Sequence, residues 1–176
     1  SIKPTAFGLL IDKEVGMSNI EKLVKDAGEH DMFVRLDMED HRVTEDTINV
    51  VLDLHSNGIT NVGCVLQGRL YRTIDDINDV AKKLGPAADY RICKGIYLES
   101  KEIAHTSRND IISATNDCID AMISSGAYLA VASHDHPVID HTLKALKKAG
   151  MGPGIEDVRS NAAKPRKNKG PGYEFQ

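Results

Sequence analysis

Short apolar runs alternate with longer amphipathic segments along the chain, and this rhythm constrains the fold more than any other feature. Each apolar run has about the length of a buried strand, and several lack the in-out alternation of a sheet with one solvated face. Strand and helix in regular succession indicate parallel strands that are joined by right-handed crossovers. The predicted strands are Ile2–Leu10, Met32–Leu36, Val62–Leu66, Tyr90–Lys94, Ala127–Ala132 and Tyr173–Gln176.

Five amphipathic helices are predicted between these strands, and most of them have a recognisable beginning. Ser18 opens the pattern of a capping box, in which side chains bond to the free backbone N–H groups of the first turn. Thr44 and Thr73 are predicted to cap the second and third helices. The fourth helix is expected over 108–125, and Pro137 suits the first turn of the fifth.

Two architectures fit this rhythm, an open doubly wound sheet and a closed eight-stranded barrel. A GxGxxG motif after the first strand or a Walker-type loop would favour the open sheet, and the sequence contains neither. A complete barrel usually takes about 250 residues. The chain has 176 residues, so a barrel built from it would be short of strands.

Composition and charge narrow the classes of function. The formal net charge of −4 gives no reason to expect nucleic-acid binding, and the basic run 164–169 is interpreted as a solvated loop. No stretch approaches the ~20 apolar residues of a membrane span, and no signal peptide is expected. Cys64 and Cys93 lie in apolar runs without metal-binding spacing, which predicts buried reduced thiols in the cytoplasm or on the matrix side of an organelle.

Polar and charged residues cluster where the predicted strands end. Ligands of a parallel barrel meet the carboxyl ends of its strands and the loops that follow them. Arg91 and Lys94 lie within an apolar strand, where a charge is costly to bury unless it is paired or faces a charged ligand. Asp37 and Lys3 are candidate partners for these charges. An ion-pair network without a ligand would explain any one cluster equally well, but clusters after five strands favour a ligand site.

Other polar motifs have simpler interpretations. His134 and His136 are alternate residues, which would point to opposite faces of a strand, so a metal site is not favoured there. Arg69 and Arg72 would suit a phosphate group, and exposure to solvent explains them equally well. Four more histidines lie in or beside helices and are predicted to be surface or packing residues: His30, His55, His105 and His141.

Six segments at the ends of the predicted strands form an ordered set. They are Ile2-Lys3-Pro4-Thr5-Ala6, Val34-Arg35-Leu36-Asp37-Met38-Glu39-Asp40, Val65-Leu66-Gln67, Arg91-Ile92-Cys93-Lys94-Gly95-Ile96-Tyr97, Ser133-His134-Asp135 and Tyr173-Glu174-Phe175-Gln176. In order and approximate spacing this set resembles the proline dehydrogenase family, and it spans the chain from end to end. No single segment is specific, but the ordered set is.

The resemblance implies a (βα)8 TIM-type barrel that holds FAD at its carboxyl face. In this family the flavin accepts a hydride from the ring carbon of L-proline next to nitrogen, the product is Δ1-pyrroline-5-carboxylate, and the electrons pass to a quinone. By position, Asp37 and Arg91 would be the catalytic pair, with Arg91 near the reactive flavin nitrogen. Lys3 would approach the substrate carboxylate, and Tyr97 would shape the pocket. The residues that would line FAD are Met38, Gln67, Arg91, Lys94, Gly95, Ile96, Ser133 and His134.

The family pattern also extends past the motifs found in this sequence. A first barrel strand, a last strand and a helix with paired arginines that clamp the proline carboxylate have no counterpart here. The resemblance therefore predicts that residues 1–176 form one incomplete barrel domain with about six strands and five helices.

Three functions are compatible with these residues. The leading one is FAD-dependent oxidation of L-proline in proline catabolism, in the cytoplasm or on the inner face of an energy-transducing membrane that carries the quinone acceptor. The second is a non-catalytic remnant that binds FAD or a protein partner. The third is an unrelated barrel enzyme in which Arg91, Lys94 and Lys3 bind a phosphorylated substrate. A bound flavin would exclude the third.

Overall fold

The computed structural model describes residues 1–152 and 172–176. The basic run 164–169, predicted to be a solvated loop, lies outside the described residues. The chain divides into two compact units, unit 1 over Ser1–Val65 and unit 2 over Leu66–Gln176. The strand over Val62–Gln67 belongs partly to each unit.

Unit 1 contains two helices and two parallel strands. After a 3-10 turn over Pro4–Phe7, its elements are α1 Lys13–Glu29, β1 Val34–Leu36, α2 His41–Ser56 and the first part of β2 Val62–Gln67. β1 pairs with β2 in the register Val34 to Val62. The side chains of Ile20, Val24, Leu36 and Val62 have almost no exposed surface and form the core of the unit.

Both helices of unit 1 begin earlier than the sequence patterns predict. Asp12 caps α1 by accepting a hydrogen bond from the Val15 backbone N–H, and Asp40 caps α2 in the same way. Ser18 and Thr44 therefore lie inside their helices, and their prediction as caps is wrong. Asp is as strong a capping residue as Ser or Thr, so an aspartate further upstream sets the start of each helix.

The predicted first strand, Ile2–Leu10, is also wrong. Only Ile2 makes a parallel bridge, to Leu36 of β1. Pro4 then opens the 3-10 turn, because its ring fixes a φ that suits a turn start and removes a backbone donor from any sheet ladder. Gly8 ends that turn with φ +97°. The described residues therefore contain five strands, one fewer than predicted.

Unit 2 continues the same alternation of strand and helix. Its further elements are α3 Thr73–Leu84, β3 Asp89–Cys93, α4 Arg108–Ser125, β4 Tyr128–Ala132, α5 His136–Lys148 and β5 Tyr173–Phe175. The predicted fourth helix is confirmed at both ends, and Pro137 lies in the first turn of α5 as expected. Thr73 is the first residue of α3, so its prediction as the cap of that helix is wrong. Its hydroxyl donates to the Gln67 carbonyl at 2.6 Å instead.

The strands of unit 2 are parallel and their order in the sheet follows the chain. The Gly68 N–H just after β2 donates to the Cys93 carbonyl at 2.8 Å, β3 pairs with β4, and β4 pairs with β5. In each unit, strands that are neighbours in the sheet are neighbours in the chain. A doubly wound sheet reverses its strand order at a switch point, so this sequential order favours the barrel type of winding.

The core of unit 2 lies between its sheet and helices. The largest enclosed side chains are Leu66, Ile77, Tyr90, Ile92, Ile119, Met122, Leu129 and Leu146. The one phenol in this set is satisfied, because Tyr90 donates to the Ile77 carbonyl at 2.9 Å. These side chains come from both strands and helices, so the helices of the unit pack against its sheet.

Candidate functional site

Unit 2 has a cleft of about 610 Å³ where β3, β4 and β5 end. A volume of this size is in the usual range for small-molecule and cofactor sites, roughly 300–1,000 Å³. Three of the residues predicted to contact a cofactor, Lys94, Ser133 and His134, line this cleft together. The remaining lining residues are Arg108, Ala132, Asp135 and Gln176.

Asp135 is the centre of the polar contacts in the cleft. Its Oδ2 accepts a hydrogen bond from Lys94 Nζ at 2.7 Å, and its Oδ1 accepts one from Arg108 Nη2 at 2.6 Å. Its side chain is only 9% exposed, whereas those of Lys94 and Arg108 are 37% and 66% exposed. Lys94 thus has a partner in its own unit, one that the sequence analysis did not propose.

The two cations also fix the ionisation of Asp135. The hydrogen bond from Lys94 is the main cause that lowers the pKa of the Asp135 carboxyl, burial opposes it, and the charges of Lys94 and Arg108 lower the pKa further. The carboxylate is therefore ionised at neutral pH. Two cations around one anion leave one formal positive charge in excess, so the cleft suits an anionic group.

Asp135 is also the residue before α5, yet its side chain makes no hydrogen bond to the first turn of that helix. Lys94 and Arg108 explain the missing bond to the helix, because each already donates to one of the two carboxylate oxygens. Ser133 contributes locally, because its hydroxyl accepts from the Asp135 N–H at 3.1 Å. The strand-to-helix corner after β4 therefore holds the carboxylate toward the cleft rather than toward the helix.

Gly95 and Gln67 meet at the ends of β3 and β2. Gly95 has φ +98°, and a Cβ placed on it would lie 2.7 Å from Gln67 Oε1 and 2.8 Å from Arg69 Cδ. Gln67 is buried, whereas the next residue of the loop, Ile96, is 86% exposed. The loop after β3 thus begins with a close approach that only glycine allows.

Arg91 lies on β3 opposite Ala130 of β4. It is half-buried, and by strand alternation it shares a face with Asp89 and Cys93, while Tyr90 and Ile92 face the other way. Its proposed catalytic role, like that of every predicted site residue, stays a prediction.

Unit 1 brings Lys3 and Asp37 to the same end of two adjacent chain segments. They follow the bridged residues Ile2 and Leu36, and the Asp37 N–H donates to the Ile2 carbonyl at 2.8 Å. Lys3 is exposed, Asp37 is half-buried and Met38 is buried.

Glu39 holds this corner of unit 1 together. It is buried, and it accepts from the Thr5 N–H at 3.0 Å and from the Thr5 hydroxyl at 2.8 Å. The turn that follows Lys3 is thereby tied to the segment that follows Asp37. No role is predicted for Glu39 from the sequence.

Sequence reasoning also missed Asp135, Arg108 and Gln176 as residues of the cleft. Asp135 and Gln176 lie in two of the six strand-end segments, and this position could have indicated that they line the cleft. Arg108 had a weaker one. It is a cation in the first turn of α4, where the helix dipole disfavours positive charge, and such a cation commonly has a partner elsewhere.

The two arginines that follow β2 both have partners within unit 2. Arg69 is 8% exposed, so the expectation of solvent exposure is wrong for it. Arg72 binds Asp76 through Nε at 2.8 Å.

Over 1–152 and 172–176, no three His, Cys, Asp or Glu side chains gather in a way that could hold a metal ion. No helix in that described part is long and apolar enough to cross a membrane.

Parallel strands in sequential order, with a charged cleft at their carboxyl ends, define an α/β protein of the barrel type. The model of the proline dehydrogenase family matches residues 1–154. The chain therefore belongs to the proline dehydrogenase family.

Individual relatives agree with this assignment. Proline dehydrogenase 2 of Bacillus subtilis (strain 168) is 34% identical over 151 residues, which are 86% of this chain and 48% of that protein. The proline dehydrogenase of Deinococcus radiodurans is 30% identical over 159 residues, 86% of this chain and 49% of that protein. The chain thus spans about half the length of these curated relatives.

Solved structures show the same fold at low sequence identity. Proline utilization A (PutA) from Bdellovibrio bacteriovorus, inactivated by N-propargylglycine, superposes with a TM-score of 0.77 at 17% identity, over 86% of this chain and 18% of that chain. A PutA with proline bound in remote sites also superposes with a TM-score of 0.77, at 14% identity, over 99% of this chain and 18% of that chain. The predicted fold class is confirmed by these matches.

Proposed function

We propose that this chain takes part in the FAD-dependent oxidation of L-proline to Δ1-pyrroline-5-carboxylate, a reaction of proline catabolism. The observation that carries the proposal is the cluster of Lys94, Asp135 and Arg108 at the carboxyl ends of parallel strands in a member of this family. Curated relatives are named proline dehydrogenase, and the cluster lies where barrel enzymes bind their ligands.

The residues of the cleft fit a flavin dinucleotide. Its excess positive charge suits the anionic diphosphate, and the first turn of α5 adds the positive end of a helix dipole. Gln67, beside Gly95, offers a buried amide that can donate and accept hydrogen bonds. FAD, when bound, supplies the acceptor for the hydride that leaves the proline ring carbon next to nitrogen.

The chain contributes charge and orientation to this reaction. In the proposal Lys94 and Ser133 bind FAD, with Met38, Gln67, Gly95, Ile96 and His134 as the further contacts predicted for it. Arg91 would hold the flavin ring as a hydrogen-bond donor, and its positive charge would favour an electron-rich ring.

The substrate is assigned to residues of unit 1. The exposed ammonium of Lys3 would pair with the proline carboxylate, and Asp37 would act with Arg91 as the catalytic pair. Glu39 fixes the turn after Lys3 through Thr5, so it would keep Lys3 in place. A quinone acceptor on the inner face of an energy-transducing membrane completes the proposal and rests on the family alone.

A visible absorbance spectrum tests the proposal. We expect the chain, reconstituted with FAD, to keep a flavin band through gel filtration, and the band to bleach after anaerobic addition of L-proline but not of D-proline. Arg91→Met should slow bleaching at least tenfold, because a donor to the charge that develops is lost. Arg42→Met removes an exposed arginine of unit 1 and is the matched control.

The other outcomes separate the alternatives. A band that L-proline does not bleach would favour a flavin-binding remnant without turnover. No band after soaking with FAD would contradict the proposal and leave a partner-binding remnant or the barrel enzyme for phosphorylated substrates.

A further inference from the structure

We infer that Arg69 is a positioning residue, which holds the loop Gly95–Tyr97 in the conformation that the proposed flavin site needs. The inference rests on the proposed function and adds a residue that contacts neither cofactor nor substrate in that proposal. Arg69 stands just after β2 and is 8% exposed, an unusual place for an arginine.

Arg69 contacts the connection between β3 and α4 at three separate points. Its backbone N–H donates to the Lys94 carbonyl at 3.1 Å, and its carbonyl accepts from the His105 N–H at 2.8 Å. Between these two points, its side chain reaches the loop itself, where Nη1 donates to the Tyr97 carbonyl. The backbone contacts do not involve the arginine side chain, whereas the contact with Tyr97 depends on it.

The aliphatic part of Arg69 is matched to Gly95. Its Cδ and Cγ lie 2.8 Å and 3.0 Å from the point that a Cβ on Gly95 would occupy. The arginine stem thus fills the space left by the missing side chain. Glycine and arginine together give this loop its shape.

Stability alone does not account for the buried guanidinium. Its Nε has no hydrogen-bond partner among the described residues, and burying a charge with incomplete pairing costs free energy. An apolar residue of similar volume would fill the site without that cost. A charge-assisted hydrogen bond to a carbonyl in a buried setting is, however, strong and directional, which is what fixing one peptide group requires.

The far half of the connection is held by another residue. The Tyr71 N–H donates to the Ile103 carbonyl at 3.0 Å, and the Tyr71 hydroxyl donates to the Lys101 carbonyl at 3.0 Å. The Tyr71 ring also packs edge-on against His105 at 4.6 Å between centroids. Removing the Arg69 guanidinium should therefore loosen residues 95–97 and leave residues 101–105 ordered.

The test compares Arg69→Met, which keeps the stem, with Arg69→Lys, which keeps a cationic donor. Tyr71→Phe removes one hydrogen bond from the same connection and is the matched control. We expect Arg69→Met to lower the NMR order parameters of residues 95–97 from about 0.85 toward 0.6, and to weaken FAD binding roughly tenfold with a shifted flavin band. Arg69→Lys should restore part of both effects, and Tyr71→Phe should leave the flavin spectrum at its parent form.

Order parameters of residues 95–97 that stay at the parent value in Arg69→Met would overturn the inference, whether or not FAD binds. A tenfold loss of FAD affinity that Tyr71→Phe reproduces would overturn it as well. Because the order parameters are measured without FAD, they still decide the inference if the parent chain binds no flavin and the proposed function fails. If Arg69→Met does not fold, Arg69→Lys carries the test: a partial loss of order at residues 95–97 would support the inference, and order at the parent value would overturn it.

Discussion

Replacing Gly95 with alanine should destabilise the chain through two separable effects. The first is backbone strain, because Gly95 has φ +98°, a region that costs a residue with a side chain about 1–2 kcal/mol. The second is overlap, because the new methyl group would lie 2.7 Å from Gln67 Oε1 and 2.8 Å from Arg69 Cδ. Overfilling a packed site of this kind costs typically about 1–3 kcal/mol.

The sum predicts a loss of roughly 2–5 kcal/mol in the free energy of unfolding for Gly95→Ala. Gly8 is the matched control, because its φ is +97° and no atom lies within 4 Å of the point that its Cβ would occupy. Gly8→Ala should therefore show the strain alone, about 1–2 kcal/mol. The difference between the two losses in the free energy of unfolding gives the cost of the overlap with Gln67 and Arg69.

Urea unfolding followed by circular dichroism, without FAD, gives both values against the parent chain. Unchanged slopes of the unfolding curves would show that neither substitution alters the surface exposed on unfolding. The reasoning would be refuted if Gly95→Ala cost no more than Gly8→Ala. It would also be refuted if Gly95→Ala cost less than about 1 kcal/mol, since strain alone predicts that much.

Two further predictions concern titrating side chains. Asp135→Asn should be less stable than the parent at neutral pH. The folded-state pKa of Asp135 is lowered from 3.8, so its contribution to stability is complete above pH 3.8 and is lost as the pH falls through the lowered value. The difference in stability between variant and parent, measured by urea unfolding across pH, should therefore narrow only in acid. A difference that narrows near neutrality would contradict the pairing with Lys94. Burial raises the pKa of the Cys118 thiol to about 12, so at pH 8 only roughly one thiol in ten thousand is ionised. Cys118→Ala should leave thiol labelling of the folded chain by a chromogenic disulfide unchanged and lower by one the number of thiols labelled in denaturant; slower labelling of the folded variant would show that Cys118 is accessible.

The sequence predicts an element well where its end signals are local. The fourth helix was placed correctly at both ends because Ser107 accepts from the Asp110 N–H before it and Gly126 takes a left-handed conformation after it. The helix starts of unit 1 failed for a different reason. Capping patterns at Ser18 and Thr44 are good local signals, but Asp12 and Asp40 offer equally good ones upstream, and the local pattern does not rank them.

The candidate site was predictable to the extent that it follows from strand ends. Lys94, Ser133 and His134 meet in one cleft, as expected for residues that follow neighbouring parallel strands. Arg108 could not be placed in this way, because it lies at the start of a helix and comes near Asp135 only through the packing of α4. Arg69 is similar, since nothing in its neighbourhood in the sequence indicates that it is buried.

The carboxylate of Asp135 makes its contacts in the cleft and not in the helix that follows it. An aspartate before a helix usually binds the first turn, and that contact is worth typically about 1 kcal/mol. Asp135 instead gives both oxygens to Lys94 and Arg108 and leaves the first turn of α5 without a side-chain cap. A variant that lost both cations would leave this carboxylate for the first turn of α5, so a cap of about 1 kcal/mol would offset part of what the two lost ion pairs cost.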